Sequence, residues 1–419
     1  MAILSLAFKS LLNRKFTVSL VLLSISLSVS LLLGVERLRV ESRNSFANTI
    51  SNTDLIVGAR SGAINLLLYS VFRIGDATNN ISWKSYQKFA SHPLVKWSVP
   101  LSLGDSHKGY RVLGTNGDYF KYYQYGKKRN LAFLTGRSFT EINEAVLGAE
   151  VARKLGYKTG DKIIIAHGAG KTSFSLHEDN PFVVVGILQP TGTPVDRTVH
   201  VSLQGIEAIH KNWAGASSVP GLKQLRDRLL QNDLTPEQIT AFMLGLKSRI
   251  ATFSLQREIN DYRKEPLLAI LPGVALQQLW DLMSIAENAL LLVTSLVVAV
   301  GLIGMLTVML AGLNERRREM AILRSVGARP AHIMLLITGE SVLLSLLGIL
   351  LGMGLLYAGL WGAQPYVESA YGLYLPINWP APREWMLVGL VGIFGLLVGL
   401  IPGYRAYRYS LSDGLSLRV

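Results

Sequence analysis

Two long stretches without a charged side chain constrain this chain more than any other feature of its sequence. They cover residues 16–35 and 289–313, and each has the roughly 20 apolar residues that a helix needs to cross the hydrocarbon core of a membrane. Residues 333–362 are apolar except for Glu340, and residues 385–401 form a shorter apolar stretch. Only 17% of the residues are charged, against about 25% in soluble domains. The sequence therefore predicts four transmembrane helices.

The positions of Lys and Arg beside these spans predict their orientation. Cytoplasmic segments carry an excess of Lys and Arg, and such residues gather before the first span, between the second and third spans, and after the fourth. The connection between the third and fourth spans has only Arg383. We therefore expect a multi-pass protein of a bacterial inner (cytoplasmic) membrane, with both termini in the cytoplasm.

This orientation divides the chain into nine expected segments. On the cytoplasmic side we expect an interfacial helix (1–15), a coupling loop (314–332) and a tail (402–419). The transmembrane helices are expected at 16–35, 289–313, 333–362 and 385–401. Outside, we expect a large domain with helical stalks at both ends (36–288) and a short loop (363–384).

The first span is expected to stay in the protein as an anchor. Its apolar core is longer than the roughly 7–15 residues of a signal peptide, and no small-x-small cleavage site follows it. The net charge of +14 comes partly from the cytoplasmic segments, so no nucleic-acid partner is needed to explain it. The chain has no cysteine, so the extracytoplasmic domain must be held together by packing alone.

The region between the first two spans predicts a domain of mixed α/β structure. The β-branched runs between turn residues predict strands, and a helix is expected over residues 149–155 because Gly156 suits its C-terminal cap. A Gly-rich and charged stretch, residues 214–234, predicts a connector, and the capping box at residues 235–238 predicts the start of a short helix or turn. The predicted strands cover residues 53–60, 109–114, 161–167, 182–190 and 197–203. The predicted fold class is therefore an α-helical membrane protein with four transmembrane helices plus a mixed α/β extracytoplasmic domain inserted between helices 1 and 2.

The sequence IIIAHGAGKTSF, residues 163–174, resembles part of a phosphate-binding loop. Gly170, Lys171 and Thr172 match the end of the G-x-x-x-x-G-K-[ST] pattern, but the first glycine is replaced by Ile165. The stretch is also predicted to lie outside the cytoplasm, where no ATP is available. We therefore expect no nucleotide site here.

The loop between the second and third spans contains NERRREMAILRSVGARPAHI, residues 314–333. A charged start, spaced apolar residues and a closing glycine predict a short amphipathic helix over residues 315–327. Arginine clusters beside a span commonly set topology by contacting anionic lipid, and that interpretation stays open beside a coupling role. The residues that a coupling role would use are Glu315, Arg316, Arg317, Arg318, Glu319, Met320, Ile322, Leu323, Arg324, Val326 and Gly327.

This stretch resembles the signature R-x-[RK]-E-[IM]-x-[IL]-[LM]-[RK]-[AS]-[LVI]-G-A of the MacB/FtsX-like (LolC/LolE-type) permeases of ABC transporter systems, in the mechanotransmission (type VII) superfamily. The similarity extends over nearly the whole chain, from AFKSLLNRKFTVSLVLLSISLSV at its start to IPGYRAYRYSLSDGLSLR at its end. In the closing segment, Leu411 and Ser412 stand where the family usually has a proline.

The resemblance implies the membrane subunit of an ABC complex. Its expected partners are two copies of a cytoplasmic ABC ATPase, a second copy of the chain or a related permease, a periplasmic partner or cargo, and membrane lipids. ATP and Mg would bind to the ATPase, whereas this chain is expected to bind no cofactor, to lack a nucleotide-binding domain and to have no enzymatic activity of its own. Met320, Ile322, Leu323 and Val326 would enter a groove of the ATPase, and the Arg side chains of the loop, including Arg324, would pair with its acidic rim.

Two classes of function follow from this resemblance. The first is ATP-driven export or extraction of a lipoprotein, lipid, peptide or small molecule through movement of the periplasmic domain. The second is signal transduction across the membrane, in which an FtsX-like protein activates a periplasmic partner. Support of a metal (zinc) uptake system is a further alternative.

Three other features offer candidate sites. Glu340 is an intramembrane carboxylate, for which a structural role in the bundle or dimer, pairing with Arg324 or Arg329, and a relay or cargo role are all open. The seven His residues show no ligand spacing, and His177 with its acidic neighbours predicts an exposed turn, so no metal site is assigned. The apolar segment of residues 61–73 is either core or a contact with the outer leaflet of the membrane through Leu66, Leu67, Leu68, Val71 and Phe72.

Overall fold

The computed structural model describes residues 15–47, 49–167, 181–215, 234–315, 317–371 and 377–408. The chain forms two compact units, a helical unit of residues 1–42 and 283–419 and an α/β unit of residues 43–282. The described α-helices, in chain order, are α1 (Lys15–Ala47), α2 (Ala63–Leu67), α3 (Trp83–Ala90), α4 (Asp118–Tyr122), α5 (Ala149–Leu155), α6 (Leu203–Gly215), α7 (Thr252–Asn260), α8 (Pro272–Glu315), α9 (Arg317–Ser325), α10 (Pro330–Tyr371) and α11 (Pro382–Arg408).

Four of these helices, α1, α8, α10 and α11, are long and apolar enough to cross a membrane. Each runs past the apolar stretch that the sequence predicts. With 44 residues, α8 is about 66 Å long, roughly twice the thickness of the hydrocarbon core of a bilayer. The predicted helical continuations over residues 36–47 and 274–288 are present in α1 and α8.

Small residues allow α10 and α11 to approach closely. A Cβ atom added at Gly399 of α11 would lie 2.3 Å from Cβ of Ser341 in α10, and one added at Gly395 would lie 2.1 Å from Oγ of Ser345. On the other side of α10, a Cβ atom at Gly352 would lie 2.8 Å from Cβ of Val29 in α1. Such contacts let helices pack by van der Waals attraction in an environment that gives no hydrophobic driving force.

The α/β unit is built on one long sheet. In chain order the strands are β1 (Leu55–Ala59), β2 (Ile81–Ser82), β3 (Val95–His107), β4 (Tyr110–Thr115), β5 (Gln124–Tyr125), β6 (Arg129–Asn130), β7 (Phe133–Gly136), β8 (Glu144–Leu147), β9 (Lys162–Ile163), β10 (Ala166–His167), β11 (Phe182–Leu188), β12 (Thr198–Ser202), β13 (Gln238–Ile239), β14 (Ala241–Leu246) and β15 (Leu267–Ile270). The main sheet has the order β15-β1-β14-β3-β4-β12-β8-β11-β7, with β10 beside β3 and β9 beside β11. Because β3 has 13 residues, it pairs with β14 along its first half and with β4 along its second.

Alternating side chains of these strands supply cores on opposite faces of the sheet. In β1, Leu55 and Val57 pack with α3 and α7, whereas Ile56 packs on the other face. Farther along the sheet, Ala145 and Leu147 of β8 pack with α5 and α6. The mixed α/β character predicted for this region is therefore present.

Most predicted elements of the α/β unit are found, with shorter bounds. The five predicted strands correspond to β1, β4, β9 with β10, β11 and β12. The predicted helix is α5, and it is capped by Gly156, whose φ of 71° is the left-handed conformation expected of a glycine cap. Of the helix or turn predicted after the capping box, the helix is wrong: Glu237 lies in a bend, and Ile239 belongs to β13 and is fully buried there. The interfacial helix before residue 15 and Gly170, Lys171 and Thr172 lie outside the described residues.

Candidate functional site in the helical unit

The predicted loop helix exists as α9 and is anchored to the helical unit by Met320. This side chain is 6% exposed and packs with residues of three long helices. The contacts are Leu313 of α8, Ile333 and Ile337 of α10, and Ala406 of α11. Ile322 and Val326 face the other way and are 53% and 83% exposed. The loop therefore presents one buried apolar face and one exposed apolar face.

Gly327 ends this helix with a Schellman motif. Its φ of 99° is left-handed, and its amide N–H donates to the carbonyl of Arg324 at 3.0 Å. The N–H of Ala328 donates to the carbonyl of Leu323, also at 3.0 Å. These two bonds satisfy carbonyls that a helix end leaves open, and they explain the glycine that closes the amphipathic run.

Arg324 connects the loop helix to the end of α11. Its Nη2 donates to the carbonyl of Tyr407 at 3.0 Å and to that of Ala406 at 3.4 Å. Both carbonyls belong to the last described turn of α11, and carbonyls at a helix end commonly take donors from outside the helix. A guanidinium at this position also matches the negative end of the helix dipole.

These contacts correct part of the expected docking surface. Met320 is buried within the helical unit, so in this conformation it is not available to enter a groove of a partner. Arg324 donates hydrogen bonds to the end of α11. Ile322 and Val326 keep the predicted exposure, and Leu323 is half-buried. Glu319 is exposed. The side chains of Glu315, Arg316, Arg317 and Arg318 lie outside the described part of the chain.

A second polar site, which the sequence did not predict, is centred on Arg37 of α1. Arg37 and Glu384 of α11 are each 5% exposed. They form a bidentate pair, with Nε to Oε1 at 3.0 Å and Nη2 to Oε2 at 3.1 Å. Nη2 also donates to the carbonyl of Asn378 at 3.0 Å and to the hydroxyl of Tyr357 in α10 at 3.3 Å. A planar guanidinium suits such two-point recognition.

Glu36, the neighbour of Arg37, extends the network to further helices. It is 1% exposed, and its Oε1 lies 3.0 Å from Nε of Arg383 in α11. Its Oε2 lies 3.5 Å from Nε of Arg39, which in turn lies 3.9 Å from Oε2 of Glu287 in α8. All four long helices therefore contribute polar groups to one cluster, which we call the Arg37 network: Glu36, Arg37, Arg39, Glu287, Tyr357, Arg383 and Glu384.

One sequence signal could have found this network. Glu36-Arg37 follows the first apolar stretch, and Arg383-Glu384 precedes the fourth. These are opposite-charge pairs in reversed order at helix ends that were predicted to lie on the same side of the membrane. The sequence could not show that the four side chains are buried together, because burial depends on how the helices pack.

Glu340 lies inside the helical unit. It is 1% exposed and ten residues from the first residue of α10, about 15 Å along the helix. The side chain therefore lies among the helices of this unit. A structural role in the bundle or dimer, pairing with Arg324 or Arg329, and a relay or cargo role for Glu340 all stay predictions.

The apolar segment of residues 61–73 belongs to the core of the α/β unit. Leu66, Leu67, Val71 and Phe72 are all buried, at 6% exposure or less, and Leu68 packs partly against the same cluster. This burial favours the core interpretation. A contact with the outer leaflet through these residues stays a prediction, and in this conformation Leu68 is the most accessible of them.

The histidines of the α/β unit whose side chains the structure describes have other protein groups as neighbours rather than one another. His107 Nδ1 lies 2.6 Å from the carbonyl of Ile164, and its Nε2 lies 3.1 Å from the hydroxyl of Tyr157. His210 pairs with Asp105 at 3.4 Å. Within the described ranges no three His, Asp or Glu side chains converge as metal ligands would.

Comparison with known proteins gives matches along most of the chain. The model of the MacB-like periplasmic core domain matches residues 16–262, and that of the FtsX-like permease C-terminal matches residues 291–411. A macrolide export ATP-binding/permease protein MacB of Wolinella succinogenes is 25% identical over 97% of this chain and 59% of its own length. An uncharacterized ABC transporter permease, YknZ of Bacillus subtilis, is 36% identical over 25% of this chain and 24% of its own length. The chain thus spans only part of the length of these relatives.

Among solved structures, the periplasmic region of MacB from Actinobacillus actinomycetemcomitans aligns with a TM-score of 0.34 and 11% identity, over 55% of this chain and 94% of that one. The four apolar helices and the two family matches define a multi-pass membrane permease. The chain belongs to the MacB/FtsX-like family of ABC transporter permeases.

Proposed function

We propose that this chain is the membrane subunit of an ATP-driven complex and that a separate cytoplasmic ABC ATPase docks on α9. One observation carries the proposal: Ile322 and Val326 are exposed on a short loop helix whose opposite face is fixed by Met320 and Arg324. Positions four residues apart lie on one face of a helix. A rigidly held helix with an exposed apolar face suits a groove on a partner.

The same contacts give docking a mechanical consequence. A displacement of α9 would be transmitted to α8, α10 and α11 together, because Met320 packs against all three helices. Helices α1 and α8 each continue without a break from residues of the helical unit into residues of the α/β unit. With the α/β unit in the periplasm, the energy of ATP hydrolysis in the cytoplasm would drive a displacement of that unit. No aqueous path through the membrane would be needed.

The work done outside would be export or extraction of a cargo. The MacB relatives are named macrolide export proteins, which supports a small-molecule cargo as the first class to examine. Those relatives are also named ATP-binding/permease proteins, and the two family models that match this chain describe a periplasmic core domain and a permease C-terminal segment. The supply of the ATPase as a separate chain is part of the proposal.

The docking proposal is tested with the double variant Ile322→Asp/Val326→Asp. Because two carboxylates would have to enter an apolar groove, we expect the amount of ATPase that co-purifies from native membranes in mild detergent to fall by about tenfold or more. Val274→Asp is the matched control, since Val274 is 52% exposed and lies at the opposite end of α8.

A charge-reversed variant, Arg317→Glu/Arg318→Glu, probes the basic start of the same helix and should lower both ATPase retention and ATP turnover. Equal retention by the apolar variant, its control and the wild-type chain would overturn docking on α9. The other proteins retained by the wild-type chain would distinguish a transport route from a periplasmic enzyme under regulation.

A further inference from the structure

The Arg37 network occupies a position where ion pairs are hard to explain by stability alone. Glu36, Arg37 and Glu384 are nearly inaccessible to solvent, and removing charges from water costs several kcal/mol per ion. Apolar side chains of the same volume often stabilise a protein as well as a buried ion pair does. The network therefore calls for a role in setting the position of the helices.

The network also leaves room for rearrangement. A cavity of about 50 Å³ lies beside it, lined by residues that include Val40, Glu41, Trp379 and Arg383. Among the described residues, Nη1 of Arg37 has no hydrogen-bond partner. Charged side chains line this cavity beside apolar groups, and a cavity of this size with polar partners can hold water, which can hydrate the charged groups as they move.

Both members of the central pair have a second partner on their own helix. Glu384 already accepts from the N–H of Ala381 at 3.0 Å, just before the first residue of α11, as the third residue of a capping box does. Glu41 lies four residues after Arg37 on α1 and lines the same cavity, at a spacing that lets the two side chains meet. The pair can therefore open without leaving either charge buried and unpaired.

We propose that Arg37 and Glu384 form a lock that positions α1 against α11 in the resting state and opens when the ATPase acts. This inference rests on the proposed function, since ATP-driven movement of the helical unit is what would open the lock. In the open state Arg37 pairs with Glu41, and Glu384 remains as the cap of α11. Tyr357 and Asn378 orient the guanidinium of Arg37 in the closed state.

The lock is tested by cross-linking in a chain that has no cysteine of its own. Val40 and Trp379 line the same cavity from α1 and from the segment before α11. In the Val40→Cys/Trp379→Cys variant, a short bismaleimide should join the two positions in high yield in the full chain with its co-purified ATPase. Addition of ATP with vanadate, which arrests turnover, should lower the yield by about tenfold.

Substitutions in this background separate a lock from a passive contact. Arg37→Ala and Glu384→Ala should each lower the nucleotide-free yield. Arg37→Lys keeps the positive charge that pairs with Glu384 in the closed state and with Glu41 in the open state, so it should retain most of the yield and its response to ATP. Size-exclusion profiles matching the parent variant show that the chains are folded. The Arg37→Lys variant also keeps the test decisive where an alanine variant fails to fold.

Each outcome of the cross-linking experiment supports or overturns either the lock or the proposed function. A nucleotide-free yield unaffected by the alanine variants would show that the pair does not position α1. A yield that depends on the pair but stays unchanged by ATP and vanadate, with the ATPase bound, would show a static brace and overturn the lock. Failure of the wild-type chain to retain any ATPase would instead overturn the proposed function, and ATP-driven opening with it.

Discussion

At the residue scale, a charged side chain can either hold neighbouring helices together or set their relative position. Arg324 was expected to meet a partner and instead donates to the carbonyls at the end of α11. No role was predicted from the sequence for Arg37, which lies at the centre of a buried network. Composition predicts how many charges a chain has, whereas the role of each one depends on which polar groups the fold brings within about 3 Å of it.

Glu144, the first residue of β8, shows how a carboxylate can stabilise the α/β unit. Arg137 donates to both of its oxygens, at 2.5 and 2.9 Å, and the N–H groups of Thr140 and Glu141 donate to Oε2 at 2.7 and 3.1 Å. The bond from Arg137, with help from the backbone donors, lowers the pKa of Glu144 to about 2 from an ordinary value of 4.5. The charged form is therefore the stabilising one.

We predict that Glu144→Gln lowers the thermal unfolding temperature of the full chain in detergent at neutral pH, by an amount corresponding to about 1–2 kcal/mol. Since the folded-state pKa lies below the ordinary value, this contribution is complete above about pH 4.5 and is lost as the pH falls towards 2. The difference between the two melting curves should shrink over that range. Glu141→Gln, at an exposed neighbour, is the control, and a difference that persists at pH 2 would contradict the prediction.

At the scale of elements, helix length followed from hydrophobicity and caps, but helix contacts followed from small residues. The sequence marks where α10 and α11 are apolar, yet it does not show that Gly395 and Gly399 face Ser345 and Ser341. In the α/β unit, β13 overrode a good capping sequence because Ile239 gains burial by pairing next to Ile81 of β2. Tertiary contacts commonly outweigh such local preferences.

We predict that Gly399→Leu destabilises the helical unit, because even its Cβ would lie 2.3 Å from Ser341 and overpacking of this kind costs about 1–3 kcal/mol. Gly389→Leu is a matched control on the same helix, where nothing lies within 4 Å of an added Cβ among the described residues. The melting temperature and the monodispersity of the full chain in detergent should fall for the first variant and not for the second. Equal melting of the two variants would show that the close approach of α10 and α11 does not matter.

At the scale of the whole molecule, the main proposal concerns which side of the membrane each unit occupies. The excess of Lys and Arg around α9 predicts that this helix lies in the cytoplasm. Because one span separates it from the α/β unit along the chain, we expect that unit in the periplasm. Two exposed apolar residues report on these locations: Ile250 in the α/β unit, 92% exposed, and Val326 in the helical unit, 83% exposed.

We predict that a membrane-impermeant maleimide labels Ile250→Cys in cells with a permeabilised outer membrane and leaves Val326→Cys unlabelled until the inner membrane is opened. Each variant has a single reactive thiol, because the natural chain has no cysteine. The wild-type chain is the background control, and detergent-solubilised protein should label at both positions. The reverse pattern of labelling would invert the proposed orientation.

The sequence by itself determined the number of spans, the mixed α/β character of the inserted region, the amphipathic helix at α9 and the family. These features follow from hydrophobic length, β-branched runs and a short motif that resembles the family signature, all of which are local along the chain. Only the tertiary structure decided that Met320 is an anchor while Val326 is exposed, and that Arg37 meets Glu384 across 347 residues of sequence. The physical reason is that burial and charge pairing depend on contacts between distant segments, and a linear pattern does not encode which face of each helix those contacts will use.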